Sequence, residues 1–235
     1  MNDTSRINLS KLLLHLDGAY ARNTLRAYKS DMLEFIAYCN KRGDSALPAD
    51  PKTVSEFLMQ TIDQGIKSST IRRKVSSISA IHRLSSLDDP TKHSEVKITQ
   101  RKIYRKLGTR FDQAYPITKT LLTKLLTACA DDLYGLRDRA LLSVAYESMR
   151  RRSELVSLRV EDIEWFTDGG ASILLRKNKT DQHGCGKWIH LTNEASHELH
   201  QWLLAAQISE GLIFRGVRLS GVISDGLCES RVPRI

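Results

Sequence analysis

The stretch that decides the fold of this 235-residue chain is Leu136 to Trp165, LRDRALLSVAYESMRRRSELVSLRVEDIEW. Ala140, Leu141, Val144 and Ala145 recur at helical spacing and Leu155, Val156 and Leu158 begin a second apolar stripe, so the stretch predicts two helices joined at a basic turn. Arg150, Arg151 and Arg152 occupy the joint. Ser153 suits a helix cap, and Glu154 complements the positive end of the dipole that follows. Guanidinium groups at such a terminus offer a seat for a phosphate. Taken alone, the arginine run reads as an ordinary solvated basic turn, and its neighbours decide between the two readings.

Those neighbours are R-D-R-A-L-L at 137–142, R-R-S-E-L at 151–155 and L-R-V-E-D-I at 158–163. Together they resemble the first catalytic box of the tyrosine recombinases, the phage-integrase family of DNA strand-exchange enzymes. The catalytic arginine of that family stands three residues before the glutamate, which implies Arg151 here. Met149 and Arg150 stand where the family commonly has Gly-Leu. The register is fixed by Ser153, Glu154, Leu155, Leu158, Arg159, Asp162 and Ile163.

The length allows one large or two ordinary domains, each able to bury a core. No apolar run is long enough to cross a bilayer, and MNDTSRINLSKLLLHL lacks the uninterrupted core of a signal peptide, so a cytoplasmic protein with no membrane partner is expected. Cys39, Cys129, Cys185 and Cys228 are widely spaced without a C-x-x-C pair, which indicates neither a disulfide framework nor a zinc site. The net charge of +9 is uneven: residues 1–115 hold 20 Lys and Arg against 12 Asp and Glu, residues 116–235 hold 16 against 15. Such an excess in the front half favours a polyanion such as double-stranded DNA, because neutralising phosphates releases counterions. A merely solubilising charge is the alternative.

Outward towards the N-terminus, helices are expected from near Thr24, with Leu25, Tyr28, Met32, Phe35, Ile36 and Cys39 as core, and after Pro48 and Pro51, with Val54, Phe57, Leu58 and Ile62 inward. A third begins near Ser69. Ile71, Val75, Ile78 and Ile81 form its apolar side, while Arg72, Arg73, Ser76, Ser77 and Arg83 form a surface that could lie along a DNA backbone or simply face solvent. After Asp89-Pro90, the stretch TKHSEVKITQRKIYRKLG places Lys97, Arg101, Lys102, Arg105 and Lys106 around few apolar anchors, the densest basic set in the chain. Four such helices resemble the core-binding, SAM-like domain of the same family, a likeness extended by S-S-T-I-R-R-K at 68–74, which includes Lys74, and by Ile81-His82-Arg83. Residues 108–115 read as a linker between a helical DNA-binding domain at 1–107 and a catalytic domain at 116–235.

Towards the C-terminus, Thr118 caps a helix with Leu121, Leu122, Leu125 and Leu126 facing inward, beside the helix of Ala140. Ser172–Arg176 and Lys187–Leu191 then read as two strands of a hairpin around KNKTDQHGCG. A lysine on this hairpin reaches the minor groove in the family, and the R-K-N-K-T register implies Lys179, with Lys177 as the other candidate. A last helix covers 193–207. His197 and His200 on it, and His183, Cys185 and His190 on the hairpin, are weak metal patterns with no H-E-x-x-H, so no metal is expected. The fold class is thus mainly α with a small antiparallel β-hairpin or sheet: a helical core-binding domain followed by part of an α+β recombinase catalytic domain.

The resemblance implies a tyrosine that attacks a DNA phosphate to give a 3′-phosphotyrosyl link, with no cofactor, nucleotide or small-molecule substrate. Cations must then neutralise the non-bridging oxygens and an acid must protonate the departing 5′-oxygen. By that likeness Arg151 supplies the charge, Lys179 the proton, and Glu154 orients Arg151. Two family features have no counterpart in these 235 residues. None of the seven histidines begins an H-x-x-R, and Tyr20, Tyr28, Tyr38, Tyr104, Tyr115, Tyr134 and Tyr146 all precede Arg151. The chain therefore reads as covering only part of a complete recombinase, without the closing helices, and as catalytically inactive by itself. The expected function is a site-specific recombinase or integrase acting as a homo-oligomer on DNA. The alternatives are a non-catalytic DNA-binding protein that occupies recombination sites, and a helical adaptor without nucleic acid.

Overall fold

The computed structural model describes residues 4–108, 115–176, 186–228 and 232. The chain divides into two compact units, Met1–Gln113 and Ala114–Ile235. No described helix is long and apolar enough to cross a membrane.

The first unit is helical: α1 Thr4–His15, α2 Arg22–Arg42, α3 Pro51–Asp63, α4 Ser68–Leu84 and α5 Ser94–Leu107. Met32, Phe35, Ile36 and Cys39 of α2 are buried at helical spacing, and α2 stops at Gly43, whose left-handed backbone (φ 78°) lets its N–H reach the last carbonyls. Asp50 caps α3 by accepting from the Lys52 N–H at 2.8 Å, with Pro51 preset for the first turn. Phe57 of α3 meets the rings of Phe35 and Tyr38 at 5.1 and 5.2 Å, closing a core completed by Ile71, Ile78 and Ile81 of α4 and by Val96 and Ile103 of α5. The helix α1 precedes the first one expected from periodicity. Its leucines are spread around the axis, with Leu9 buried and Leu14 exposed, so no single face announces it.

The second unit contains, among the described residues, α6 Lys119–Ala128, α7 Leu133–Ser148, α8 Arg152–Leu155, α9 Asn193–Ala205 and the strands β1 Ile163–Trp165, β2 Ala171–Leu175 and β3 Lys187–Leu191. The sheet is antiparallel in the order β1-β2-β3, with Ile163 opposite Ile173 and Ile173 opposite Ile189. The expected hairpin is therefore two strands of a three-stranded sheet. Three residues are too few for β1 to show an alternating pattern. Ala140, Val144, Ile173, Leu199, Trp202 and Phe214 lie at the centre of the core, and the Trp202 indole donates to the Ile213 carbonyl at 2.8 Å.

Four expectations need correction. The second helix of the central stretch is a four-residue turn, α8, and Arg151, not Ser153, occupies its N-cap. So short a helix lacks the aligned peptides of a substantial dipole, which removes the helix terminus as a phosphate seat. Thr118 does cap α6 by accepting from Leu121 N–H at 3.2 Å, yet Leu121, Leu122, Leu125 and Leu126 are only half-buried.

Candidate nucleic-acid interface

In the first unit, burial sorts the cations that sequence alone groups together. Arg72, Ser76 and Arg83 are exposed on one stripe of α4, at the i, i+4 and i+11 positions that a helix brings into line. The Arg72 guanidinium lies 5.3 Å from the centre of the Tyr104 ring, which joins that stripe to α5. On α5, Val96, Thr99 and Ile103 face the core while Lys97, Arg101, Lys102, Arg105 and Lys106 are all exposed. A broad basic surface results, with arginines long enough to reach phosphates.

Two residues leave the expected set. Lys74 is buried, ion-paired with Glu34 and 5.5 Å from the Phe57 ring centre, so it faces the core and not a duplex. Ser77 is also buried and donates to Asp31 at 2.7 Å. That same carboxylate accepts Arg73 at 3.0 Å, leaving Arg73 half-exposed. Sequence reading missed Asp31. Its one signal is a carboxylate beside Met32 on the apolar side of α2, where an unpaired charge would be costly.

The second unit carries the three arginines in three different postures. Arg150 folds back, its Nε donating to the Ser148 carbonyl at 2.8 Å, and Arg152 donates to the Val232 carbonyl at 3.0 Å. Arg151 is held on Glu154: its backbone N–H donates to Oε2 at 3.2 Å and its guanidinium to Oε1 at 2.9 Å. Burial by itself would raise the Glu154 carboxyl. The hydrogen bonds from Arg151, side chain and backbone, together with the charges of Arg151 and Arg150, outweigh burial and hold it below the usual carboxylate range. Glu154 is thus ionised at neutral pH, and Arg151 is a fixed cation with more than half of its side chain in solvent.

The chain reaches this posture through Met149, which ends α7 in the left-handed region at φ 51°, ψ 32°. Glycine is the residue that adopts this conformation without steric penalty. Met149 therefore keeps the backbone turn of a Gly-Leu-Arg pattern with a side chain that pays a strain cost, and that side chain is exposed.

A second docked guanidinium lies where β2 ends. The Arg176 Nε donates to both carboxylate oxygens of Asp162, at 3.0 and 2.8 Å, and Asp162 is nearly buried. Lys177 and Lys179 fall outside the described residues. Among the described residues no group of three His, Cys, Asp or Glu could hold a metal ion. His200 meets the Trp165 ring edge-on at 5.5 Å, and His190 hydrogen-bonds Ser172 Oγ at 2.6 Å.

Comparison with known proteins agrees with these two units. Residues 11–85 match the phage integrase N-terminal SAM-like domain, and residues 116–219 match the phage integrase family. The chain is 33% identical over 227 residues to the integrase/recombinase XerD homolog of Selenomonas ruminantium, covering 92% of this chain and 66% of that protein. It is 25% identical over 213 residues to the recombinase Cre of Escherichia phage P1, covering 87% of this chain and 62% of that protein. The chain thus spans just under two-thirds of the length of these curated relatives. Its fold is similar to that of the Tn1549 transposon integrase solved in complex with transposon right end DNA, at a TM-score of 0.62 and 13% identity, covering 92% of this chain and 72% of that one. With both halves matched in order by family models and by a relative 33% identical, the chain belongs to the phage integrase family of tyrosine recombinases.

Proposed function

We propose that this chain is the DNA-binding and first catalytic portion of a site-specific recombinase or integrase acting on double-stranded DNA. The observation that carries this reading is Arg151 fixed on the nearly buried Glu154, in a segment that matches the integrase family. The relatives are recombinases and integrases, and the Tn1549 integrase was solved on transposon DNA. On this reading residues 1–107 form a helical clamp that grips the duplex through the exposed cations of α4 and α5. Residues 108–115 link it to the catalytic part at 116–235. Arg151 neutralises charge on the non-bridging oxygens of the attacked phosphate, and Glu154 orients it without touching the DNA. Lys179 protonates the leaving 5′-oxygen, with Lys177 as a neighbouring phosphate contact. No metal or nucleotide takes part, and the protein works as a homo-oligomer on DNA in the cytoplasm.

The 235 residues have no H-x-x-R and no tyrosine beyond Arg151. That observation favours a second reading for the polypeptide by itself: it occupies a recombination site without cutting it. The experiment is incubation of the 235-residue polypeptide with duplexes carrying candidate sites at several salt concentrations, read by native gel shift for binding and by denaturing electrophoresis for a covalent adduct. The expected result is salt-sensitive binding with no covalent adduct. An adduct that survives denaturation would refute the inactive reading, and absence of binding at low salt would refute both.

A further inference from the structure

Three arginines in the described residues share one construction. Arg73 on Asp31, Arg151 on Glu154 and Arg176 on Asp162 are 48, 59 and 58% exposed at the side chain, while their carboxylates are 1, 7 and 8% exposed. The N···O distances are 3.0, 2.9 and 2.8 Å. Other surface arginines are built differently: the carboxylates that meet Arg42 and Arg159 are themselves solvated. A carboxylate taken out of water loses hydration that one half-exposed guanidinium repays poorly, so such a pair is a weak device for stability. It is a good device for direction. Binding one edge of the planar fork to a fixed acceptor sets the plane of the guanidinium and points the rest at solvent.

Asp162 is a firm anchor. It closes the 3-10 turn Val160–Asp162, and that turn is pinned on its other side: the Val160 N–H donates to the Gly211 carbonyl at 2.9 Å, and the Gly211 N–H donates to Glu161 at 2.9 Å. Arg176 immediately follows Leu175, the last residue of β2, which pairs with Lys187. Both ends of the Asp162–Arg176 contact are therefore tied to the sheet, and the guanidinium cannot swing freely.

We propose that Arg176 is a phosphate-contacting residue of the DNA interface, aimed by Asp162 as Arg151 is aimed by Glu154. The proposal rests on the DNA-binding reading above and adds a contact in the second unit that neither the sequence motifs nor the family likeness supplies.

The test measures binding of the 235-residue chain to a labelled duplex as a function of salt, for wild type, Arg176→Gln, Arg176→Lys, Asp162→Ala and Arg101→Gln, with thermal melts as folding controls. Loss of one phosphate contact lowers the magnitude of the slope of log K against log salt by about 0.9. Arg176→Gln is expected to show that drop and to bind roughly tenfold more weakly at low salt, and Arg176→Lys to recover the slope with only part of the affinity. Asp162→Ala removes a negative charge, so general electrostatics would tighten binding, whereas loss of aim weakens it about threefold. An Arg176→Gln protein with wild-type slope and affinity, while Arg101→Gln loses both, overturns the role of Arg176 and leaves the DNA-binding reading standing. Tighter binding by a folded Asp162→Ala overturns the aiming role. Wild type that binds no duplex at low salt overturns the proposal together with the reading beneath it.

Discussion

Glu154 holds Arg151 at two points, the backbone N–H through Oε2 and the guanidinium through Oε1, so one nearly buried carboxylate both starts α8 and sets the direction of the arginine. Glu154→Ala removes both bonds. It is expected to cost about 1–2 kcal/mol of stability, from the lost cap and the charge-assisted hydrogen bond, and to weaken duplex binding although the net charge becomes more positive. Thermal or urea unfolding measures the first effect and fluorescence anisotropy the second. Tighter binding by this variant would mean that Arg151 needs no positioning.

The left-handed Met149 makes an opposite prediction. Met149→Gly removes a steric cost of about 1–2 kcal/mol for a side chain at positive φ, offset in part by the greater freedom of glycine in the unfolded chain. The side chain is exposed and loses no packing. A net gain of about 0.5–1 kcal/mol in urea unfolding is expected. A loss of stability would show that Met149 contributes contacts that outweigh its strain.

How much of this was legible beforehand follows from what periodicity can carry. The long helices α2, α3, α4 and α7 declare themselves because their apolar residues recur over three or more turns, and the family likeness singles out Arg151 and Glu154, which the structure pairs. The short elements did not. Four residues of α8 and three of β1 are set by their surroundings: the Ile213 N–H on the Leu158 carbonyl, the pairing of Arg159 with Leu212, and the β2 partner of β1. Lys74 was misjudged because an S-S-T-I-R-R-K string says nothing of which cation turns inward. That choice depends on Glu34, forty residues away in sequence. The partners of Asp31 and Asp162 escape the sequence for the same reason: Asp162 reads there only as a register residue, and its arginine is visible only in the fold.

Lys74 and Arg101 should therefore separate cleanly. Lys74→Met replaces a buried ammonium with an apolar chain of similar length and leaves Glu34 half-exposed, so stability should change by about 1 kcal/mol or less and the salt slope of DNA binding should stay at the wild-type value. Arg101→Gln should leave the melt unchanged and reduce the slope by about 0.9. A slope that falls equally in both variants would put Lys74 back on the interface.

His82 gives the first unit a dependence on pH. Its Nε2 accepts the Ala49 N–H at 3.0 Å, so the proton sits on Nδ1, which donates to the Ile78 carbonyl at 2.8 Å. Burial pushes its pKa below the ordinary 6.5, against the smaller upward pulls of the Ile78 carbonyl and Asp89. The unfolded chain then binds more protons than the folded one below about pH 6.5, so this stabilising contribution is full above that pH and lost as pH falls, by at most about 1.4 kcal/mol per pH unit. Urea unfolding from pH 8 to 5 should fall more steeply for wild type than for His82→Gln. Parallel curves would refute the neutral buried histidine.

The measurement that tests the account most directly is the affinity of the 235-residue chain for duplex DNA between about 50 and 200 mM salt. The exposed cations of α4 and α5, with Arg151, predict a linear fall of log K against log salt with a slope of about −4 or steeper, equivalent to roughly five neutralised phosphates. An affinity that is negligible at about 50 mM salt, or that does not change across the range, would contradict the proposal that this chain grips duplex DNA through these cations.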